Sequence, residues 1–400
     1  MVLRQQCPFC GEKNVNNKMF LQRDFSMCRN ITLFEKYDVF RCSNCNLYYA
    51  GNIVQIKEIA DYYNRMSRYE SGNYTLSKDI LRHYKKNVDI IQKVISKEAR
   101  ILDVGCAFGG LLNELKKEGY THLLGLEPSE KNCHYAKEVY DITVLEGNWG
   151  NEMPISEEKF DLIIFSAVLE HLLDFKSDIQ RCKKYLNNDG YLYIVLPDVE
   201  LYSEQDDLYQ EFSSEHINYF DIDFLNLMMV ENGYVLVEFE RDYIGAMGIS
   251  GSFCSLWKST NGSFDKENIS SAILVENLHE STVEEKFELY LKQCHKVMVQ
   301  MNKKIRDFKF DDGYYIWGAG TSAAMMAQLG IIKYPEIKGV IDSNLNYKGQ
   351  EAFGCQIVQP KDLKNMKNRP ILVTSQYAFH EINQYLIREG ISNKVINLYT

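Results

Sequence analysis

The sequence lacks a run of apolar residues long enough to cross a bilayer, since nothing in it approaches eighteen in succession. Its first residues, MVLRQQCPFC, lack the apolar stretch of a secretory signal, so a cytoplasmic setting is expected and a membrane partner is not. An excess of positive charge is also missing. Lys and Arg number 45 against 55 Asp and Glu, a formal net charge of −10. Binding to a phosphate backbone draws most of its affinity from clustered cations that release counterions, so nucleic acid is not an expected partner. Nor is there a disulfide framework. Four of the eleven cysteines fall in two CxxC pairs and the rest are scattered, which suits reduced thiols and one metal site. No short-period repeat is visible.

The chain has 400 residues, 45% of them hydrophobic, enough for two or three domains with real cores. Strand-like apolar runs alternate with helical patterns in RILDVG, HLLGLE, ITVLEG, FDLIIF, YLYIVLP and YVLVEFE. That alternation predicts an α/β fold with a parallel sheet wrapped by helices and ligands at the carboxyl ends of its strands. ENLHESTVEEKFELYLKQCHKVMVQMNKKIRDF then reads as one long amphipathic helix. A second strand-turn-helix pattern follows in YYIWGAGTSAAMMAQLG, IKGVIDS, PILVTS and KVINLY. The expected divisions are residues 1–60, a cysteine module; 61–250, the α/β core; 251–310, a helical connector; and 311–400, a smaller Rossmann-like lobe.

Cys7 and Cys10, with Cys42 and Cys45, have the spacing of two zinc knuckles, each tight turn aiming two thiolates at one tetrahedral ion. Four thiolates close the coordination shell, so the expected zinc is structural. In the core, ILDVGCAFGGLL ends a strand with Asp103 and sets Gly105, Gly109 and Gly110 where backbone passes close to a ligand. The next strand ends in Glu127, placed to accept the two ribose hydroxyls of an adenosine. A nicotinamide enzyme more often has a compact GxGxxG, whereas Cys106 to Phe108 widen this turn. The stretch resembles motif I of the class I S-adenosylmethionine methyltransferases. The resemblance implies a seven-stranded sheet, with Asp103 and Gly105 at the methionine end of the cofactor, Glu127 on its ribose, and Cys106, Phe108, Gly109 and Pro128 lining the site.

The fourth strand, FDLIIF, is followed closely by Glu170-His171 in SAVLEHLLDF, near where the methyl donor is expected. With the four cysteines in front and YYIWGAGTSA…GVIDSN behind, the layout resembles the three-part sugar C-methyltransferases that act on nucleotide-linked sugars. In that family the corresponding segment carries Tyr-x-Glu-His, whose histidine removes a proton from carbon beside a keto group. Here FSSEHINYF, residues 212–220, matches with Glu215 and His216 but has Ser213 in place of the tyrosine. A carbanion beside a carbonyl needs a preorganised donor for its oxygen. Tyr219, Tyr69 or Tyr74 are candidates to supply it, and Tyr74 is expected at the catalytic site with His171, Glu215 and His216. A hydroxyl acceptor needs less, because a histidine positioned by a carboxylate suffices. Carbon and oxygen methylation both stay open, carbon favoured by the family layout.

Tyr62 and Tyr63 lie with Tyr69 and Tyr74 in the joining segment, where the resemblance implies a substrate pocket. Gly318-Ala-Gly320-Thr321-Ser322 sits between a strand and a helix, with Asp342 closing the next strand, and its amides are candidates for the substrate's diphosphate. An RNA-modifying enzyme with a zinc ribbon and a non-catalytic scaffold are the rival classes. The oligomeric state is not legible.

Overall fold

The computed structural model describes residues 3–54, 59, 62–63, 76–150, 153–155, 158–204, 208–243, 251–260, 282–308, 310–376 and 378–399. The front of the chain forms an antiparallel sheet from β1 (Lys18–Asp24), β2 (Lys36–Arg41) and β3 (Tyr48–Gly51). Its fourth strand comes from far along the chain, the two residues Asn218–Tyr219 (β9), paired as Tyr48 to Tyr219 and Tyr49 to Asn218.

Seven strands build the core. They are β4 (Arg100–Val104), β5 (His122–Glu127), β6 (Thr143–Glu146), β7 (Phe160–Ser166), β8 (Leu186–Pro197), β10 (Tyr234–Asp242) and β11 (Ser252–Ser259). The spatial order is β10-β11-β8-β7-β4-β5-β6, parallel except for β11, which runs against both neighbours. Leu162 to Phe165 of β7 are all fully buried, as a central strand covered on both faces requires. Helices α1 (Lys78–Gln92), α2 (Gly110–Lys117), α3 (Glu130–Tyr140), α4 (Phe175–Tyr185) and α5 (Ile222–Glu231) flank it. Their starts are written in the sequence: Ser77, Ser129, Asp174 and Asp221 each accept a backbone N–H of the first turn.

Strand β11 lies past residue 250, where the sequence alone places the end of the core. Seven of its eight residues are buried, so SFCSLWKS shows no inside-outside alternation by which a strand would be recognised. Within the connector the described helix is α6 (Val283–Arg306), which starts at a capping box of Thr282 and Glu285; residues 276–281 of the expected helix lie outside the described residues.

The last segment is a six-stranded sheet in the order β14-β15-β13-β12-β16-β17. Its strands are β12 (Tyr314–Trp317), β13 (Ile337–Ile341), β14 (Glu351–Ala352), β15 (Cys355–Val358), β16 (Ile371–Val373) and β17 (Val395–Asn397), all parallel but for β14. Helices α7 (Thr321–Gln328) and α8 (Phe379–Arg388) belong to it. The fold is thus the expected α/β class, a seven-stranded core with a cysteine cluster in front and a smaller sheet behind.

These parts share one apolar core. Phe25 and Ile31 of the front, Phe212 and Tyr219 near β9, Phe287 and Tyr290 of α6, and Met325 and Ile337 of the lobe belong to a single buried cluster. Residues 208–219 run through its middle. Among the described residues no helix is long and apolar enough to cross a membrane.

Candidate functional site

At the carboxyl end of β4 the chain turns through Gly105 and Ala107, both left-handed (φ +67° and +48°), and Gly109 (φ +80°) leads into α2. A Cβ on Gly105 would stand 2.8 Å from Val168 Cγ2, and one on Gly110 2.6 Å from the Tyr84 ring, so neither place takes a side chain without displacement. Asp103 is 2% exposed and its Oδ1 has no hydrogen-bond partner. Burial, and then the negative charge of Glu127, push its carboxyl up to about 8. Glu127 Oε2 accepts from Ala107 N at 3.0 Å, and Oε1 from Ser129 N at 3.2 Å and Asn132 Nδ2 at 3.4 Å. The carboxylate therefore braces the turn and the start of the following helix. An orphaned buried carboxyl oxygen beside a turn whose glycines leave no room for a Cβ fits the cationic, hydroxyl-bearing cofactor that the sequence resemblance implies.

The other residues expected at this site divide. Phe108 meets Tyr135 edge to face at 5.7 Å, and Pro128 is half-buried between Glu127 and the α3 cap. Cys106 is buried, and its Sγ lies 2.5 Å from where Gly125 would carry a Cβ. Its thiol packs under β5, leaving only main chain to face a ligand.

The four cysteines converge. Cys7 Sγ lies 3.5 Å from Cys45 Sγ, Cys10 Sγ lies 3.4 Å from Cys42 Sγ, and all four fall within 4.8 Å of one another. Thiolates about 2.3 Å from one tetrahedral ion are about 3.8 Å apart, so the set fits zinc. Each knuckle closes through a left-handed residue, Gly11 (φ +79°) donating to Cys7 O and Asn46 (φ +63°) to Cys42 O.

The second pair caps the β2–β3 hairpin, and β3 pairs with β9, two residues after His216. Several side chains of the front hold the segment before β9: Arg23 Nε donates to Phe212 O at 2.8 Å, Tyr37 OH to Ser213 O, and Arg4 to Ile217 O and Asn218 Oδ1. Sequence reasoning missed this grip. The alternating INYF after His216 is the one local hint of a strand there.

Glu170 and His171 lie in a short turn, Leu169–His171, after β7. The structure brings them to His216: the His171 and His216 rings meet at 4.9 Å, and donor atoms of Glu170, His171 and His216 lie within 4.8 Å of one another. His171 Nδ1 is 3.0 Å from Glu215 O, and Ile217 N donates to Glu170 O at 2.9 Å, fastening the two segments together. The Glu215 carboxylate accepts from Tyr62 OH at 2.9 Å. Ser213 Oγ accepts from the backbone N–H groups of Glu215 and His216 at 3.2 and 3.0 Å, a turn-closing role. Tyr219 is 1% exposed and donates its hydroxyl to His216 O. Tyr69 and Tyr74 lie outside the described residues.

In the lobe, Gly318 (φ +105°) turns into α7, and Asp342 accepts from Ala319 N at 2.9 Å, as Glu127 does from Ala107 N in the core. Ser322 Oγ donates to Gln210 Oε1 at 2.6 Å, tying this turn to the segment that leads to His216.

Comparison with known proteins gives two matching family models, a methyltransferase domain over residues 76–238 and "C2185-like, N-terminal" over residues 313–397. The chain is similar to the ubiquinone biosynthesis O-methyltransferase of Actinobacillus pleuropneumoniae serotype 7 (strain AP76), 35% identical over 103 residues, 24% of this chain and 44% of that one. It is similar to the mitochondrial ubiquinone biosynthesis O-methyltransferase of Bos taurus, 33% identical over 103 residues, 24% of this chain and 28% of that one. The chain thus spans less than half the length of these relatives. A solved Thermotoga maritima S-adenosylmethionine-dependent methyltransferase, described as a possible histamine N-methyltransferase, superposes with a TM-score of 0.36 at 19% identity, covering 46% of this chain and 91% of that one. Residues 76–238 are a class I methyltransferase domain.

Proposed function

We propose that this chain, built on an S-adenosylmethionine-dependent methyltransferase domain, methylates the sugar of a nucleotide-linked sugar, and that the accepting atom is a hydroxyl oxygen. The proposal rests on one juxtaposition, that of the Glu170–His171–His216 cluster with the Gly105 turn, which touch through Val168. The cofactor supplies an electrophilic methyl group on a sulfonium. Asp103 and Glu127 hold its charged and hydroxyl-bearing ends at the turn. His216, as the sequence reading has it, takes the acceptor's proton, with the carboxylate of Glu170 within reach to balance the imidazolium that results.

Support for a sugar nucleotide comes from the order of the three parts and from the lobe. The Gly318 turn, bridged to the His216 segment by Ser322 and Gln210, is the place where a diphosphate would meet backbone amides.

Support for oxygen comes from the tyrosines. Stabilising an enolate needs a donor free to meet its oxygen, and of the candidate tyrosines among the described residues Tyr219 and Tyr62 direct their hydroxyls to His216 O and to the Glu215 carboxylate, Tyr69 and Tyr74 lying outside them. The two ubiquinone-biosynthesis relatives named above are O-methyltransferases by name. Carbon methylation beside a keto group, with the same base, is the second reading, favoured by the match of Glu215-His216 to the Tyr-x-Glu-His motif. Solvent deuterium separates them. A keto sugar acted on at carbon exchanges its acidic hydrogen in the presence of the wild type and not of His216→Ala, and a hydroxyl acceptor shows no such exchange.

A further inference from the structure

The geometry points to a divalent-cation site, distinct from the four cysteines, formed by Glu170, His171 and His216 at the acceptor end of the methyl-transfer site. Three features argue for it. The three donor atoms lie within 4.8 Å of one another, with Glu170 only 2% exposed. Two imidazoles with one carboxylate are a donor set that takes borderline first-row ions such as Mn²⁺, Fe²⁺ or Co²⁺ and leaves coordination positions open on one side. Third, the His171 tautomer is fixed. A carbonyl oxygen only accepts, so the 3.0 Å contact with Glu215 O puts the hydrogen on Nδ1 and leaves the Nε2 lone pair facing the cluster, 3.8 Å from Glu170 Oε1. A metal-bound histidine is commonly oriented in this way, donating its other N–H to a backbone carbonyl.

The inference rests on the hydroxyl-acceptor reading and changes one step of it. With the ion bound, His216 is a ligand, and the acceptor hydroxyl enters an open position, where the cation lowers its pKa. The O–H proton passes to water, the oxygen forms the new O–C bond, and the C–S bond of the donor breaks with its electron pair staying on sulfur. A sugar with two neighbouring oxygens can occupy two open positions, which makes vicinal diols the favoured acceptors.

Mn²⁺ is a suitable probe, because thiolate ligands do not favour it and the cysteine cluster will not report it. Electron paramagnetic resonance of the full chain carrying a single zinc, titrated with Mn²⁺, should show one bound ion per chain. Glu170→Gln and His216→Gln should each weaken it by at least about tenfold, with zinc content and S-adenosylmethionine binding unchanged. Should Glu170→Gln fail to fold, the half-buried His216→Gln decides. Wild type that binds no Mn²⁺ at millimolar concentration, or folded variants that bind it as wild type does, overturn the site. Mn²⁺ bound as expected with no nucleotide sugar methylated would leave the site standing and remove the function proposed above. Methyl transfer undiminished in EDTA would do the reverse.

Discussion

Replacing Asp103 by asparagine should stabilise the ligand-free protein while weakening its hold on the methyl donor. The carboxyl sits on a central strand, 2% exposed, with one oxygen unpartnered, and burial and Glu127 raise it from an ordinary 3.8 to about 8. A carboxyl whose pKa is raised by folding keeps its proton in the native state after the unfolded chain has lost it. The native state is then penalised as pH rises from the unfolded value, and the penalty levels off above the folded one. At 1.36 kcal/mol per unit, the penalty is about 3 kcal/mol at pH 6 and about 5 kcal/mol at pH 8. Urea unfolding of the ligand-free wild type should therefore lose about 2 kcal/mol between pH 6 and pH 8 through this group, and Asp103→Asn should not. The ionised form is the one a cationic methionine amine selects, so wild-type affinity should rise as pH climbs from 6 toward 7.5, by up to about tenfold per unit. Asp103→Asn should bind more weakly and lose that dependence, read by calorimetry at both pH values. If the variant is no more stable than wild type at pH 8, or keeps the pH dependence of binding, the assignment of Asp103 as the strained anchor of the cofactor is wrong.

Glu127→Ala should cost about 1–3 kcal/mol of S-adenosylmethionine affinity, the scale of charged hydrogen bonds to two hydroxyls; unchanged binding by a folded variant would place the cofactor elsewhere. Purified without chelator, the protein should carry one zinc per chain, and substoichiometric metal would count against the four-cysteine site. Cys42→Ser, by loosening the hairpin that pairs with β9, should speed hydrogen exchange at residues 217–219 while leaving cofactor affinity within about twofold. Slow exchange in the zinc-free variant would mean that the front sheet does not hold the site. His216→Ala should lower turnover on the order of 10²–10⁴ with cofactor affinity nearly unchanged, whether the imidazole takes the proton or binds an ion; near-normal turnover would shift attention to His171.

Local signals carried much of the architecture. The run ILDVGCAFGG and the acid twenty-four residues after Asp103 announced a strand, a left-handed glycine turn and a strand-end carboxylate, because glycine and a strand-end acid are readable from backbone geometry within one βαβ unit. The CxxC spacing announced the convergence of four thiols for the same reason. What stayed hidden depends on contacts between distant segments. Nothing within residues 212–220 shows that Asn218–Tyr219 completes a sheet begun at Lys18, or that Arg4 and Arg23 grip the main chain beside His216. Strand β11 escaped because a strand buried on both faces has no period to read. The meeting of Glu170 and His171 with His216 needed the fold as well, since 45 residues separate His171 from His216. The Ser213 departure was plain in the sequence, but its consequence was not, because only the structure shows where the hydroxyls of Tyr62 and Tyr219 go.

The central claim is that a methyl group passes to a sugar carried on a nucleotide, and one incubation tests it most directly. The full chain is given methyl-labelled S-adenosylmethionine and a panel of nucleotide-linked sugars in both keto and hydroxyl forms, and the label is located by mass spectrometry and NMR. The account predicts label on a sugar oxygen of at least one nucleotide-linked sugar, and none when the same sugar is offered without its nucleotide. Label on a ring carbon would move the acceptor to the second reading, and label on no member of the panel, from protein that binds S-adenosylmethionine, would contradict the claim.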